Sequence, residues 1–244
     1  MFVGVGTIAN VAAIILGAVI GKLLGNRIPK RTQTLTTEVL GAVTLIGAAS
    51  ALISLWSAEL TAALPAGGPI LVILGALLIG GFIGSGLDIE RRLEALGESL
   101  RRRIGGNSDS NFVTGFVVSS LVFVIGPLAI LGSISDGMGT GIEQLTLKST
   151  LDFFAAIAFA ASFGIGVAFS ALPVGIYQGI WTISGAFLGQ ILSPAQIAGM
   201  TATGGVLLLG IAFKLLNIKS IAIGNLLPAL ALAPIFVSLA TWIS

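Results

Sequence analysis

The chain contains no cysteine and no histidine among its 244 residues. Without cysteine there is neither a disulfide framework nor a thiolate nucleophile, and the usual Cys and His metal sites are excluded. Histidine is also the commonest general base and pH switch near neutrality, so its absence argues against hydrolytic catalysis. We therefore expect no enzyme activity, no bound metal and no cofactor.

Charge is scarce as well. Asp, Glu, Lys and Arg together make up 9% of the residues, whereas soluble domains carry roughly a quarter. The net charge of +2 is too small to indicate a nucleic-acid partner. Hydrophobic residues make up 55% of the chain, mean hydropathy is +1.07, and the apolar residues occur in long runs. These runs predict α-helices that span a lipid bilayer.

Eight apolar runs are long enough to cross the roughly 30 Å hydrocarbon core of a membrane. They cover residues 2–24, 39–56, 70–87, 112–131, 151–169, 172–192, 197–216 and 221–242. The predicted fold is therefore an all-α bundle of about eight membrane spans, forming a single integral membrane domain over residues 1–244. The 34 glycines suit helices that pack closely through small residues.

The basic residues indicate how the chain is oriented. If the N-terminus lies outside, every Lys and Arg except Lys148 falls on the cytoplasmic side, as the positive-inside rule requires. We therefore expect a protein of the bacterial cytoplasmic (inner) membrane with both termini outside.

The polar segment 88–111 predicts a short amphipathic helix that lies along the cytoplasmic membrane surface and ends at Gly105-Gly106. Its basic residues Arg101, Arg102 and Arg103 are predicted to set the topology and to contact anionic lipid headgroups.

The first and sixth spans share a pattern of an amide side chain followed by small residues at the same spacing. The matching residues are Asn10, Gly17, Ala18 and Gly21 in the first span and Gln178, Gly185, Ala186 and Gly189 in the sixth. Because these spans cross in opposite directions, one interpretation is an inverted repeat of spans 1–3 and 6–8, as in many secondary transporters. The other is the small-residue spacing common to packed membrane helices.

The repeat would divide the chain into a three-helix unit (1–87), the cytoplasmic segment (88–111), a central helix pair (112–169) and a second three-helix unit (170–244). Asn10 and Gln178 would then lie at matching depths, with Tyr177, Thr182 and Ser184 nearby on the sixth span. Amides and hydroxyls at this depth suit a small polar solute or an ion.

Two spans are interrupted by proline. Gly126-Pro127 breaks the fourth span, and Pro228 follows Asn225 in the eighth, where Asn225 is predicted about a turn and a half into the helix. Proline pushes away the carbonyl four residues earlier, which for Pro228 is that of Gly224. A freed carbonyl needs a hydrogen-bond donor, which either a neighbouring helix or a water-filled cavity can supply. Each break is therefore either a packing kink or part of a permeation pathway, and Asn225 either joins helices or lines that pathway.

The segment between the fourth and fifth spans carries polar residues of interest. Ser133 and Asp136 are predicted to emerge from the membrane, and Lys148 precedes Asp152 by one helical turn on the same face. The apolar run after Asp152 is short for a span, at about 25 Å, which predicts Asp152 at or just inside the outer boundary. The two residues form either an interfacial ion pair or a vestibule site where Asp152 exchanges Lys148 for a proton or cation.

Three motifs carry a resemblance to a known family: GPLAILGSISDG (126–137), LTLKSTLD (145–152) and NLLPAL (225–230). They resemble the signature of the YqgA/YdfK-like family of bacterial inner-membrane proteins, domain-of-unknown-function family 554, and the similarity covers nearly the whole chain. The resemblance implies a polytopic membrane protein, sometimes described as a transport protein. It implies no substrate and no established functional residue.

From these observations we expect a membrane transporter of a small polar solute or ion, working as a homodimer. The alternatives are an ion channel, or a non-transporting scaffold or lipid-interacting protein whose working surface is the helix of residues 88–103.

Single cysteines test the topology, since the native chain has no thiol. We expect a membrane-impermeant maleimide to label Ser57→Cys and Ser193→Cys in intact spheroplasts, because both positions follow outward-running spans. Ser108→Cys should react only after the membrane is opened. Labelling of the Ser108 variant in intact spheroplasts would contradict the topology.

Overall fold

The computed structural model describes residues 2–25, 27–104, 111–188 and 192–243, except for the side chains of Ile104, Pro127, Leu188 and Ile243. Within these ranges the regular structure is helical, without a β-strand. The predicted helix end at Gly105-Gly106 and the position of Ser108 lie outside the described residues.

Eleven α-helices follow one another along the described chain. They are α1 (Val5–Gly25), α2 (Lys30–Leu52), α3 (Ala58–Ala63), α4 (Gly68–Leu87), α5 (Ile89–Ile104), α6 (Phe112–Val124), α7 (Pro127–Met138), α8 (Glu143–Phe163), α9 (Ala171–Leu188), α10 (Pro194–Leu215) and α11 (Pro228–Ile243). Three 3₁₀ segments, Ile53–Trp56, Gly164–Ser170 and Ile223–Leu226, extend or join them.

Six stretches of the described chain are long and apolar enough to cross a membrane, or seven if the bent pair α6 and α7 counts as one span. The predicted class, a bundle of membrane-spanning helices, is confirmed. The number of eight stays a prediction, because the fifth and sixth predicted spans lie in one helical stretch, Glu143–Phe187.

Burial follows the pattern of a membrane protein, with polar side chains inside and apolar side chains outside. Phe82 and Phe187 are 77% and 83% exposed, whereas Asn10 and Gln178 are fully buried. Large exposed apolar side chains are expected where the surrounding solvent is lipid rather than water.

The chain divides into two compact units, of which the first contains residues 1–40 and 93–191. In this unit α1 packs against α8 in parallel, because Gly17, Gly21 and Gly25 meet the carbonyls of Phe153, Ile157 and Ala161 in step. A Cβ at any of the three glycines would collide with main-chain atoms. The glycines therefore allow the two backbones to approach closely.

The stretch from α8 to α9 turns back on itself. While α8 runs parallel to α1, α9 runs antiparallel to it, because Gly175 packs on Val11 and Thr182 faces Thr7. The reversal falls in the 3₁₀ segment after α8, where Gly164 has a positive φ of 82° that favours glycine. The two limbs of this stretch therefore run in opposite directions.

The fourth predicted span consists of two helices that meet at an angle of 62°. Gly126 lies between them with φ 149°, and Pro127 is the first residue of α7. The prediction that this span ends at Leu131 is wrong, because α7 continues to Met138. Asp136 and Ser133 therefore lie buried inside a helix rather than in a loop. Their position relative to the membrane surface stays a prediction.

The second unit contains residues 41–92 and 192–244. In it α4 packs antiparallel to α11, since Gly80 lies against Ala229 and Gly84 against Asn225. The second half of α2 packs antiparallel to α10, with Gly41 against Leu216 and Gly205 against Leu52. A core of Leu60, Leu64, Val72, Ala198 and Val237 joins α3, α4, α10 and α11.

Two of the positions chosen for cysteine labelling are helix N-caps. Ser57 accepts a hydrogen bond from the amide of Leu60, and Ser193 forms a capping box with Gln196 at the start of α10. A cysteine there weakens the cap at a cost of about 1 kcal/mol. This cost is small enough to leave the helices in place.

The glycine contacts of α1 give a test of the first unit. Gly21→Ala places a Cβ against the Ile157 carbonyl and the Ala160 Cβ, neither of which can rotate away. We expect a loss of about 1–3 kcal/mol, seen as a lower thermal denaturation midpoint in detergent. Gly47→Ala in α2 is the control, because nothing lies within 4 Å of its Cβ position. Equal midpoints for the two variants would argue against the close α1–α8 contact.

Candidate functional site

Six polar side chains from three helices meet inside the first unit and form what we call the polar cluster. They are Thr7 and Asn10 of α1, Lys148 and Asp152 of α8, and Gln178 and Thr182 of α9. None of the six is more than 8% exposed. Four of them, Asn10, Lys148, Asp152 and Gln178, are among the candidate site residues predicted from the sequence, and Thr182 was expected near them.

Helical spacing explains why each helix contributes a pair. Thr7 and Asn10 are separated by three residues, and the pairs on α8 and α9 by four, so each pair lies on one face of its helix. The glycine contacts between α1 and α8 bring two of these faces together.

A buried ion pair lies at the centre of the polar cluster. Lys148 Nζ is 2.6 Å from Asp152 Oδ2, so the predicted ion pair is confirmed. The same oxygen accepts a hydrogen bond from Asn10 Nδ2 at 3.0 Å. A buried ion pair recovers its desolvation cost only when further hydrogen bonds support it. Asn10 provides that support from the neighbouring helix. Both residues of the pair lie within α8, and the position of Asp152 relative to the membrane boundary stays a prediction.

The carboxylate of Asp152 determines the orientation of the side-chain amides of Asn10 and Gln178. Because an ionised carboxylate only accepts hydrogen bonds, Asn10 must direct its NH₂ group towards Asp152. The same NH₂ group also donates to Gln178 Oε1 at 3.3 Å, so Gln178 must present its oxygen. Two buried atoms then have no partner among the described residues, Asn10 Oδ1 and Gln178 Nε2. Leaving a buried polar atom unpaired costs about 1–3 kcal/mol.

The two threonines lie beside the amides. Thr7 Oγ1 and Thr182 Oγ1 are 3.1 Å apart and share one hydrogen bond between α1 and α9. Thr7 was not predicted from the sequence. Its position three residues before Asn10, on the same face of an apolar helix, is the signal that could have found it.

Asp136 holds the first turn of α1 instead of joining the polar cluster. Its carboxylate accepts hydrogen bonds from the amides of Gly4, Gly6 and Thr7, at 3.2, 3.1 and 3.4 Å. These amides belong to the end of α1 that carries the positive end of the helix dipole. Asp136 therefore caps α1 from a different helix, α7.

The remaining predicted residues of α7 have local roles. Ser133 donates to the carbonyl of Ala129 in its own helix at 2.6 Å and contacts none of the cluster side chains by hydrogen bond. Gly126 and Pro127 form the bend before α7. Whether this bend lines a pathway stays a prediction.

Asn225 and Pro228 make their contacts inside the second unit. Asn225 Oδ1 accepts from the amide of Glu90 at 2.8 Å, and Glu90 accepts from the amide of Gly224. Glu90 also pairs with Lys214 at 3.3 Å. The first residues of α5 and the 3₁₀ segment before α11 thus cap each other. Glu90 was not predicted from the sequence, because it is one of several charged residues on a polar helix.

Two details predicted for the eighth span are wrong. Asn225 does not lie a turn and a half into the helix but in a 3₁₀ segment, because Pro228 is the first residue of α11. The carbonyl of Gly224 is not freed, since it accepts a hydrogen bond from the amide of Leu227.

The arginines of the amphipathic helix α5 differ in their surroundings. Arg101 pairs with Glu98 at 2.6 Å, whereas Arg102 and Arg103 are exposed. Gly97 of the same helix packs against Phe116 of α6, so part of α5 rests on protein. The predicted contact of the arginines with lipid headgroups stays a prediction.

A polar pocket of about 530 Å³ lies at the other end of α1 and α8. Its lining includes Lys22, Lys30, Gln33 and Asn111 together with the last turn of α8. Along α1, Lys22 is roughly 18 Å from Asn10 at helical rise. The glycine contacts of Gly17 and Gly21 lie between the pocket and the polar cluster, so α1 and α8 are in close contact along this interval.

These features define a multi-span helical membrane protein with a buried polar cluster among its helices. The chain belongs to the family described as "Protein of unknown function (DUF554)", whose model matches residues 5–238. It is 31% identical to "Uncharacterized protein YqgA" of Escherichia coli (strain K12), over 98% of each chain. It is 28% identical to "Uncharacterized membrane protein YdfK" of Bacillus subtilis (strain 168), over 95% of each. No solved structure matches the chain.

The buried ion pair can be tested by double substitution. Lys148→Met leaves the Asp152 carboxylate without its cation, and we expect a loss of about 3–5 kcal/mol, measured as a lower thermal denaturation midpoint. Lys148→Met with Asp152→Leu should recover most of this loss, because an apolar pair has no charge to desolvate.

The matched control for this test is the partly exposed pair of α5. Arg101→Met should cost about 1 kcal/mol or less, because water replaces the partner of Glu98. If the double variant is less stable than Lys148→Met alone, the result would contradict a buried ion pair.

Proposed function

We propose that this protein is a membrane transporter of a small polar solute or ion, and that the polar cluster is its binding site. The observation that carries the proposal is the pair of buried, unpartnered atoms on Asn10 and Gln178 beside the Lys148–Asp152 ion pair. Ionisable and polar groups are costly inside a membrane and commonly mark the path of a solute.

Four of the six cluster residues lie on α1 and α9, the first and sixth spans, which an inverted repeat would relate, and the other two lie on α8 of the central pair. Such a repeat makes each span antiparallel to its counterpart. The three predicted counterpart pairs, α1 with α9, α2 with α10 and α4 with α11, each pack antiparallel within their own unit. The reversal at Gly164 further supports two crossings in the stretch from α8 to α9, and hence eight in total.

Occlusion of the polar cluster favours a transporter over a channel. Asn10 and Gln178 are fully buried, and the backbones of α1 and α8 are in contact between the cluster and the polar pocket. A solute would reach this site only after the helices move, which is the behaviour of alternating access. An open channel needs no such movement.

The orientation and assembly of the protein are part of the proposal. The positive-inside distribution supports a bacterial inner-membrane protein with both termini outside. A homodimer would cover part of the large exposed apolar surface of the helices. Cross-linking in membranes tests this assembly.

Flux across proteoliposomes tests the function. Ions can be followed with trapped fluorophores and uncharged polar solutes by light scattering. We expect at least one probe to cross faster than in protein-free vesicles, with saturation, and Asp152→Asn to abolish the difference. Glu143→Gln is the matched control, because it makes the same chemical change at an exposed position of α8. It should retain full flux.

The alternatives give different results in the same assay. Flux that rises linearly without saturation would favour a channel. If no probe crosses faster than in protein-free vesicles, the scaffold alternative remains. Under that alternative, reversing the charge of Arg101, Arg102 and Arg103 should abolish the cellular role, whereas Asp152→Asn should not.

A further inference from the structure

We propose that the polar cluster binds an uncharged solute that carries both a hydrogen-bond donor and an acceptor, of the amide or urea class. This inference rests on the proposed function and names the substrate class of the same site. It follows from two properties of the cluster, the polarity of its unpaired atoms and the balance of its charges.

The polarity of the unpaired atoms is fixed by the ion pair. Hydrogen bonds run in one direction, since Asn10 donates to Asp152 and also to Gln178. The free atom of Asn10 is therefore an acceptor, Oδ1, and the free atom of Gln178 is a donor, Nε2. Reversing either amide would turn an NH₂ group towards another NH₂ group or an oxygen towards a carboxylate. A ligand that satisfies both atoms must donate one hydrogen bond and accept another.

The charge balance excludes a simple ionic ligand. Lys148 contributes one positive charge and Asp152 one negative charge, and the two are in direct contact at 2.6 Å. The other members of the cluster, Thr7, Asn10, Gln178 and Thr182, are uncharged. The nearby carboxylate of Asp136 accepts from three amides at the positive end of the α1 dipole, which compensates its charge. An added ion of either sign would therefore leave an uncompensated charge among membrane helices, which is strongly unfavourable. A neutral solute adds no charge and uses only the two free atoms.

Three planar molecules of similar size differ in charge and in hydrogen-bonding groups, so their entry rates test both requirements. Urea is neutral with donors and an acceptor, guanidinium is a cation with donors only, and nitrate is an anion with acceptors only. Proteoliposomes of the full chain are mixed with a millimolar gradient of each probe, and entry is followed by stopped-flow light scattering or ion-selective detection. We expect urea to enter faster than in protein-free vesicles and the two ions to enter at the protein-free rate.

Substitution of the free donor tests the assigned atoms. Gln178→Met keeps the length of the side chain and removes the free Nε2 together with Oε1, the acceptor of Asn10. The urea rate above background should therefore fall by about fivefold to tenfold or more, as for at least one lost hydrogen bond. Asn10→Leu has a similar volume and removes the free Oδ1 together with the Nδ2 that donates to Asp152. Ser184→Ala on α9 is the control, because its hydroxyl bonds only the carbonyl of Ile180 in its own helix. Size-exclusion profiles confirm that each variant is folded.

The outcomes separate this inference from the proposed function. Faster entry of guanidinium or nitrate than urea, lost in Asp152→Asn, would overturn the neutral-solute inference and retain the transporter. Urea entry at the protein-free rate would also overturn the inference. The proposed function would then be tested only by the ions and polar solutes of the flux assay described above. Urea entry that is unchanged in both Gln178→Met and Asn10→Leu would overturn the assignment to these atoms.

Discussion

The carboxylate of Asp152 has to be neutralised inside the membrane bundle, and the first unit is built around this requirement. One oxygen of this group takes the ammonium of Lys148 from its own helix and the amide of Asn10 from α1. The second contact orients Asn10, and Asn10 in turn orients Gln178 of α9. The Asp152 oxygen thereby joins α8 to α1, and Asn10 joins α1 to α9 through the Gln178 oxygen. Because each donor is buried, the loss of one contact would leave its partner without a hydrogen bond and without access to water.

Close helix packing makes this arrangement possible. Asn10 has a short side chain and reaches α8 only because α1 lies backbone to backbone against it at Gly17, Gly21 and Gly25. The glycine contacts and the polar cluster therefore lie on consecutive turns of the same α1–α8 interface. The glycines set a short distance between the helices, and this distance lets Asn10 reach Asp152.

The sequence was sufficient to predict the class, the family and four of the six cluster residues. Composition predicts membrane helices, spacing predicts the Lys148–Asp152 pair, and the shared pattern of the first and sixth spans points to Asn10 and Gln178. It was insufficient wherever a role depends on a partner distant in sequence. Asp136 reads as a loop residue because nothing near it reveals that it caps α1, and Glu90 reads as a surface charge until Gly224 and Lys214 lie beside it. The two prolines differ in how far the sequence was sufficient. The predicted break at Gly126-Pro127 is present as a bend of 62°. Pro228 lies at the first position of α11 rather than inside a helix, so it frees no carbonyl of Gly224.

Asp136 has a consequence for which solutes approach α1. The first turn of a membrane helix, with its free amides and positive dipole end, is a natural resting place for chloride, phosphate or another mobile anion. Here that place is taken by a carboxylate covalently tied to α7. The chain thus carries its own counter-ion at this helix end. A free anion would therefore meet a helix end whose positive charge is already compensated from within the chain.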